Sequence, residues 1–93
     1  MTSSVGHIWK FELDMGFQFV TMPPGAKLLH VGEQRGRPTL WAACDPTKYA
    51  TVTRMVSVIM TGEAEPEDSK YVGTVILANG DLVVHVYDSG EKP

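Results

Sequence analysis

Tyr71–Asp88, YVGTVILANGDLVVHVYD, is two apolar runs joined by Asn79-Gly80. Asn-Gly between hydrophobic runs marks a hairpin, because a type I′ turn needs φ > 0 at both central residues. With Ala78 and Asp81 closing the turn, Leu77 faces Leu82, Val75 faces Val84 and Gly73 faces Val86. The opposite face sets Ile76 against Val83, Thr74 against His85 and Val72 against Tyr87. Both faces are largely apolar, whereas a hairpin wet on one side alternates cleanly. The second face must be covered, by the rest of the chain or by another copy. Ile76, Val83 and Tyr87 should therefore not lie bare in an isolated subunit.

Working outward from this hairpin, Gly62–Lys70, GEAEPEDSK, reads as an acidic exposed loop. Before it, Thr47–Thr61 is free of Gly and Pro. Tyr49, Val52, Val56 and Ile59 fit a helical spacing, but the many β-branched residues suit a pleated surface better. Asp45-Pro46 has the form of an N-cap and first helical position. One short helical turn over Pro46–Ala50, then a strand, is expected.

At the other end, His7–Leu13 alternates, with Trp9, Phe11 and Leu13 on one face and Lys10 and Glu12 on the other. That pattern is a half-buried strand. Asp14-Met15-Gly16 reads as a turn and Phe17–Met22 as the returning strand, stopped by Pro23-Pro24-Gly25. Ala26–Gln34 and Thr39–Cys44 form a further pair of strands about an Arg35-Gly36 turn. Residues 1–6 and 89–93 are expected to be loose tails of a single domain spanning 1–93. Three hairpins and about seven strands imply an all-β chain with at most one short helical turn. The expected form is a compact antiparallel β-sandwich or barrel.

Composition narrows the function. The chain has 93 residues, enough for a core that buries about 60–70% of the unfolded surface. Hydrophobic content of 43% and charged content of 20% describe a globular chain. A net charge of −3 with eight scattered Lys and Arg argues against bulk nucleic-acid or anionic-membrane binding. The single Cys44 excludes an intrachain disulfide, suits a reducing compartment and reads as a buried inert thiol. The start, MTSSVGHIWKF, lacks the pattern of a signal peptide, and no apolar run approaches the ~20 residues of a membrane-spanning helix. A cytoplasmic protein is expected.

Each chemically interesting residue has a plain structural account beside the functional one. His7, His30 and His85, with Cys44, are metal candidates, but none stands in a ligand spacing, and no metal or cofactor is expected. His85 with Thr74 is either a satisfied core pair or a polar anchor in a pocket or subunit interface. Trp9 and Trp41 are either core or stacking platforms. The bends Thr61-Gly62 and Gly73-Thr74 offer amides and hydroxyls suited to an anion. Placed beside His85, they form the one polar cluster that stands out. No nucleophile elbow, P-loop, dinucleotide fingerprint or calcium loop occurs. Glu63, Glu65, Glu67 and Asp68 are either a solvated loop, a phosphate-mimicking patch, or paired carboxylates for acid–base work.

Several segments together resemble a family of small uncharacterised proteins encoded mainly by bacteriophages and prophages. They are Ile8-Trp9-Lys10-Phe11, Met22-Pro23-Pro24-Gly25-Ala26, Leu40-Trp41-Ala42 with Asp45-Pro46, Thr61-Gly62, Tyr71-Val72-Gly73-Thr74 and Val84-His85-Val86-Tyr87. The match covers nearly the whole chain. It departs at Met60-Thr61-Gly62-Glu63, where the pattern has Gly-Thr-Gly followed by His. The resemblance implies a phage origin and no particular activity. The resulting expectation is a non-enzymatic counter-defence protein holding a small, nucleotide-like ligand at an oligomer interface. Its site would draw on His85, Thr74, Gly73, Tyr71, Thr61, Gly62, Trp41 and Trp9. The alternatives are an inhibitor that binds a host defence protein through the acidic loop or a sheet edge, and a small hydrolase.

Overall fold

A computed structural model describes residues 6–48 and 51–92. Its strands are β1 (His7–Glu12), β2 (Gly16–Met22), β3 (Lys27–Gln34), β4 (Arg37–Cys44), β5 (Val52–Met60), β6 (Lys70–Leu77) and β7 (Leu82–Lys92). They form two wholly antiparallel sheets, β1-β4-β3 and β2-β5-β7-β6. The all-β expectation holds: two antiparallel sheets pack into one compact body.

The sheets meet where β3 lies over β6, and there a glycine decides the spacing. A Cβ on Gly73 would stand 2.7 Å from the Val31 Cγ2. Val31 is itself buried, so it has no room to retreat. Gly73 is needed for the space it leaves, since its backbone is ordinary strand. Around this contact the inner faces supply one cluster. Val31, Leu40 and Ala42 come from the smaller sheet, and Met22, Val56, Val58, Val75, Val84 and Val86 from the larger.

The closing hairpin has the expected register from Leu77↔Leu82 to Gly73↔Val86. Asn79 (φ 55, ψ 33) and Gly80 (φ 96) take positive φ as expected, and Asp81 N–H donates to Ala78 O at 3.1 Å, but Ala78 (φ 51) is left-handed too and Asp81 is helical, so four residues rather than two join Leu77 to Leu82. Arg35 (φ 54) and Gly36 (φ 78) take positive φ between β3 and β4, with the Gly36 N–H donating to Glu33 Oε2 at 2.6 Å.

Five expectations need correction. Val72 does not face Tyr87: a β-bulge at Val72 shifts the ladder so that Tyr71 pairs with Tyr87. β1 and β2 are not a hairpin, because β1 pairs with β4 and β2 with β5. Alternation identifies a strand but not its partner. Here Leu13, 1% exposed, donates its N–H to Pro38 O and pins the chain where it changes sheets. Gln18 braces that corner by accepting from the Asp14 N–H and donating to Asp14 O, and Gly16 (φ +88) completes it. Ser89–Lys92 are not loose: a second bulge lets them continue β7 against β5. Pro46–Lys48 form a turn held by Asp45, which accepts the Thr47 N–H and hydroxyl, and no helix. The rest of that expected turn, residues 49 and 50, lies outside the described residues, as do Met1–Val5 and Pro93 of the expected tails. Finally, β1 is mostly exposed, because no strand of the larger sheet reaches across it.

Gly73→Ala should lower stability by about 1–3 kcal/mol, the cost of overpacking a closed core. In urea unfolding the loss should shrink when Val31→Ala is combined with it, giving a non-zero coupling energy for the pair.

Candidate functional site

The outer face of the larger sheet carries the site. Reading across the strands, one row is Phe17, Ser57, Tyr87 and Tyr71, and the next is Ile59, His85 and Thr74. Phe19 and Met55 lie to one side of these rows, Val83 and Ile76 to the other. None of these outward residues is Asp, Glu, Lys or Arg. The bulge at Val72 is what puts Tyr71 on this face, since without it Tyr71 would point inward. Re-aiming a side chain is a usual consequence of a bulge.

Four of these residues and their neighbours join in one hydrogen-bonded chain. The Tyr71 hydroxyl bonds the Thr74 hydroxyl, Thr74 Oγ1 lies 3.0 Å from His85 Nδ1, and His85 Nε2 lies 2.7 Å from Thr61 Oγ1. Both imidazole nitrogens are thus satisfied by hydroxyls, which can donate or accept with either tautomer. Thr61 reaches His85 because β5 ends in a tight turn. There the Glu63 N–H donates to Met60 O at 3.1 Å, and Glu63 Oε1 accepts the Met60 N–H at 2.6 Å. The acidic loop then folds over Tyr87, whose hydroxyl donates to Glu65 Oε2 at 2.7 Å. That hydrogen bond first, then burial and nearby negative charge, pushes the Tyr87 phenol up and keeps it a donor. Tyr71 stacks edge-on against Tyr87 with ring centroids 5.6 Å apart.

Thr61, Tyr71, Thr74 and His85 are therefore brought together, with Gly62 next to Thr61 in the turn, whereas Gly73 faces inward at Val31. Trp9 and Trp41 are not: they stand on β1 and β4 of the other sheet, on opposite faces of it. Trp9 is 40% exposed and Trp41 packs beside His30. Covering of the hairpin's second face is incomplete within the chain. Tyr87 is 8% exposed and Val83 half-buried, but Ile76 is 62% exposed. Phe17 and Phe19 on the same face are as open, at 59% and 61%.

The remaining candidates separate. His7, His30 and His85 stand on three different strands, and no three His, Cys, Asp or Glu residues gather as for a metal among the described residues. Cys44 is buried, and burial pushes its thiol up, away from the nucleophilic thiolate. Glu63 and Glu65 are committed to hydrogen bonds within the chain, which leaves fewer free carboxylates than a phosphate mimic would want.

Sequence reasoning missed one centre, the pair Arg54 and Asp88. Arg54 Nε and Nη2 donate to the two Asp88 oxygens at 2.9 and 2.7 Å, and Nη1 donates to Ala26 O at 2.9 Å. Glu91 approaches at 3.5 Å. Both partners are nearly buried, with side chains 14% and 12% exposed. The hydrogen bond to Asp88 outweighs burial and raises the Arg54 guanidinium. Burial pushes the Asp88 carboxyl up, but the Arg54 hydrogen bond, the Gly90 N–H and the Arg54 and Lys70 charges together hold it below the usual carboxylate value. A lone arginine inside the apolar run Val52–Ile59 was the available signal.

A model of the family described as "Domain of unknown function (DUF7352)" matches residues 5–93. The chain belongs to the DUF7352 family. Compared with curated proteins and with solved structures, it matches none. Membership supplies no activity, so the functional case for this DUF7352 chain rests on its geometry. No helix among the described residues is long and apolar enough to cross a membrane.

Asp88→Asn should cost about 3 kcal/mol at neutral pH, since it leaves a nearly buried guanidinium without its counter-charge. The unfolded carboxyl titrates near about 3.9 and the folded one lower. The unfolded state therefore takes the proton first, and the pair's contribution is complete above that value and lost as pH falls through the folded one. Urea midpoints for the wild type should drop in that acid window, and those of Asp88→Asn should drop less.

Proposed function

We propose that this is a non-enzymatic binding protein whose copies pair through the outer face of the larger sheet and hold a small polar ligand there. The observation that carries this reading is the Tyr71–Thr74–His85–Thr61 chain set among apolar strand residues that are open at Ile76, Phe17 and Phe19. Interface cores are depleted of charge and enriched in aromatics, and this face has that composition. A second copy is the natural occupant, because the strand residues that open this face, Ile76, Phe17 and Phe19, are apolar and can cover those of another copy.

Hydroxyls and an imidazole at fixed positions recognise the donor and acceptor edges of a neutral ring or sugar. The carboxylates of Glu63 and Glu65 lie close by, on the Met60 N–H and the Tyr87 hydroxyl, so the chain itself suits the uncharged part of a nucleotide-like molecule. With the phage resemblance, this supports a counter-defence protein that sequesters a nucleotide signal in the cytoplasm of a bacterial host. The exposed Phe17 and Phe19 on edge strand β2 favour a host protein partner as the second reading.

Light scattering should report a dimer or larger assembly that Ile76→Glu disperses. Calorimetry against a panel of nucleosides and nucleotides should find a ligand whose affinity falls about tenfold or more in His85→Ala. A monomer that binds none of the panel would sink the reading, and stoichiometric capture of one host protein by that monomer would favour the second.

A further inference from the structure

The basic residues of this acidic chain are not evenly spread. Of eight Lys and Arg, Lys27, Lys70 and Arg54 line one groove of about 440 Å³ where the two sheets meet. Lys48 joins them, since its Nζ lies 3.7 Å from where a Cβ on Gly25 would stand, and Gly25 lines the same groove. The acids here are already engaged. Asp88 is held by Arg54, and Glu91 accepts the Gly25 N–H at 2.6 Å and faces Arg54. Asp68 and Ser89 belong to a smaller adjoining groove of about 190 Å³ that shares Arg54, Lys70 and Asp88.

Each nitrogen of the Arg54 guanidinium is already engaged, by Asp88 and Ala26 O, with Glu91 beside it. It is scaffold. The ammonium groups of Lys27, Lys48 and Lys70 make no hydrogen bond or ion pair among the described residues, though the charge of Lys70 acts on Asp88. We propose that this groove binds the phosphate end of a small soluble ligand, with Lys27 from one sheet and Lys70 from the other as its two flanking charges. Lysine binds phosphate as a point charge and needs no fixed fork geometry, which suits an open groove.

Tyr71 links the groove to the site already described. Tyr71 is one of the residues lining the groove, while its hydroxyl bonds Thr74 in the polar chain. One molecule can then place a ring against Tyr71 and the polar chain, and a phosphate between the lysines. This placement of the neutral part rests on the proposed function, whereas the phosphate site stands on the groove alone.

The test is titration of the full chain with pyrophosphate, a nucleoside 5′-monophosphate and the matching nucleoside, followed by amide NMR shifts at fixed low salt. Pyrophosphate should shift the amides of Lys27, Lys70 and Tyr71 and weaken steeply with added salt. The double variant Lys27→Ala/Lys70→Ala should lose about tenfold or more for both phosphate-bearing probes while leaving nucleoside binding unchanged, and Lys27→Arg/Lys70→Arg should retain them. Pyrophosphate that leaves these amides unmoved, or that binds the alanine variant equally well, overturns the proposal. Cosedimentation with anionic phospholipid vesicles, lost in the same variant, overturns it in favour of a membrane surface. Pyrophosphate bound in the groove with no nucleoside bound anywhere keeps the phosphate site and removes the proposed function.

Discussion

The approach of Val31 to Gly73 is the constraint on which the rest of this structure depends. A side chain on Gly73 would have to occupy space that Val31 already fills, so β3 can seat on β6 only while that position stays bare. With β3 seated, the inner valines of β5, β6 and β7 lose their water, and burial of such side chains is the main favourable term in a chain of this size. The same seating leaves β1 and β2 at the far ends of their sheets. The body is accordingly long and thin, 49 × 27 × 17 Å. Open edges and the exposed Phe17, Phe19, Ile8 and Trp9 follow from two small sheets meeting over one pair of strands.

The bulges of β6 and β7 next to this junction convert a regular ladder into something with chemistry. At Val72 the extra residue turns Tyr71 outward, beside Thr74 and Tyr87, and leaves Val72 packed toward the core. After Asp88 the extra residue changes the side of everything that follows. Asp88 already points inward at Arg54 by the same alternation as Val84 and Val86, and the bulge brings Glu91 to that side three residues on. A charged pair at the open end of a core is costly to bury. It is tolerable here because each guanidinium nitrogen has a partner, which is the condition under which such pairs hold their place.

What could be read in the residues divides along the same physical line. Local chemistry was legible: Asn79-Gly80 and Arg35-Gly36 both form turns with positive φ, and the β-branched run Val52–Ile59 is a strand despite its helical spacing. The grouping of Thr61, Thr74 and His85 was legible too, because the hairpin register places Thr74 against His85 and the strand end brings Thr61 near. Long-range partners were not. The pattern Trp9, Phe11, Leu13 looks the same whether its strand pairs with its neighbour or crosses to β4. A bulge has no marker in a run such as Tyr71-Val72-Gly73, so the outward turn of Tyr71 could not be foreseen. Arg54–Asp88 was invisible because it joins residues 34 apart on β5 and β7, whose pairing the alternation of each strand does not reveal.

The surroundings of His85 bear on whether this face acts on a ligand or only holds one. An imidazole serving as a general base accepts a hydrogen bond from the group it deprotonates and has a partner on its other nitrogen that stabilises the cation it becomes. His85 has a hydroxyl on each nitrogen, Thr61 on Nε2 and Thr74 on Nδ1, and no carboxylate is hydrogen-bonded to it among the described residues. A ring held by two hydroxyls keeps its orientation in either tautomer and gives up little when a ligand replaces one of them. That arrangement presents a fixed pattern of donors and acceptors within an apolar face. Recognition uses such a pattern.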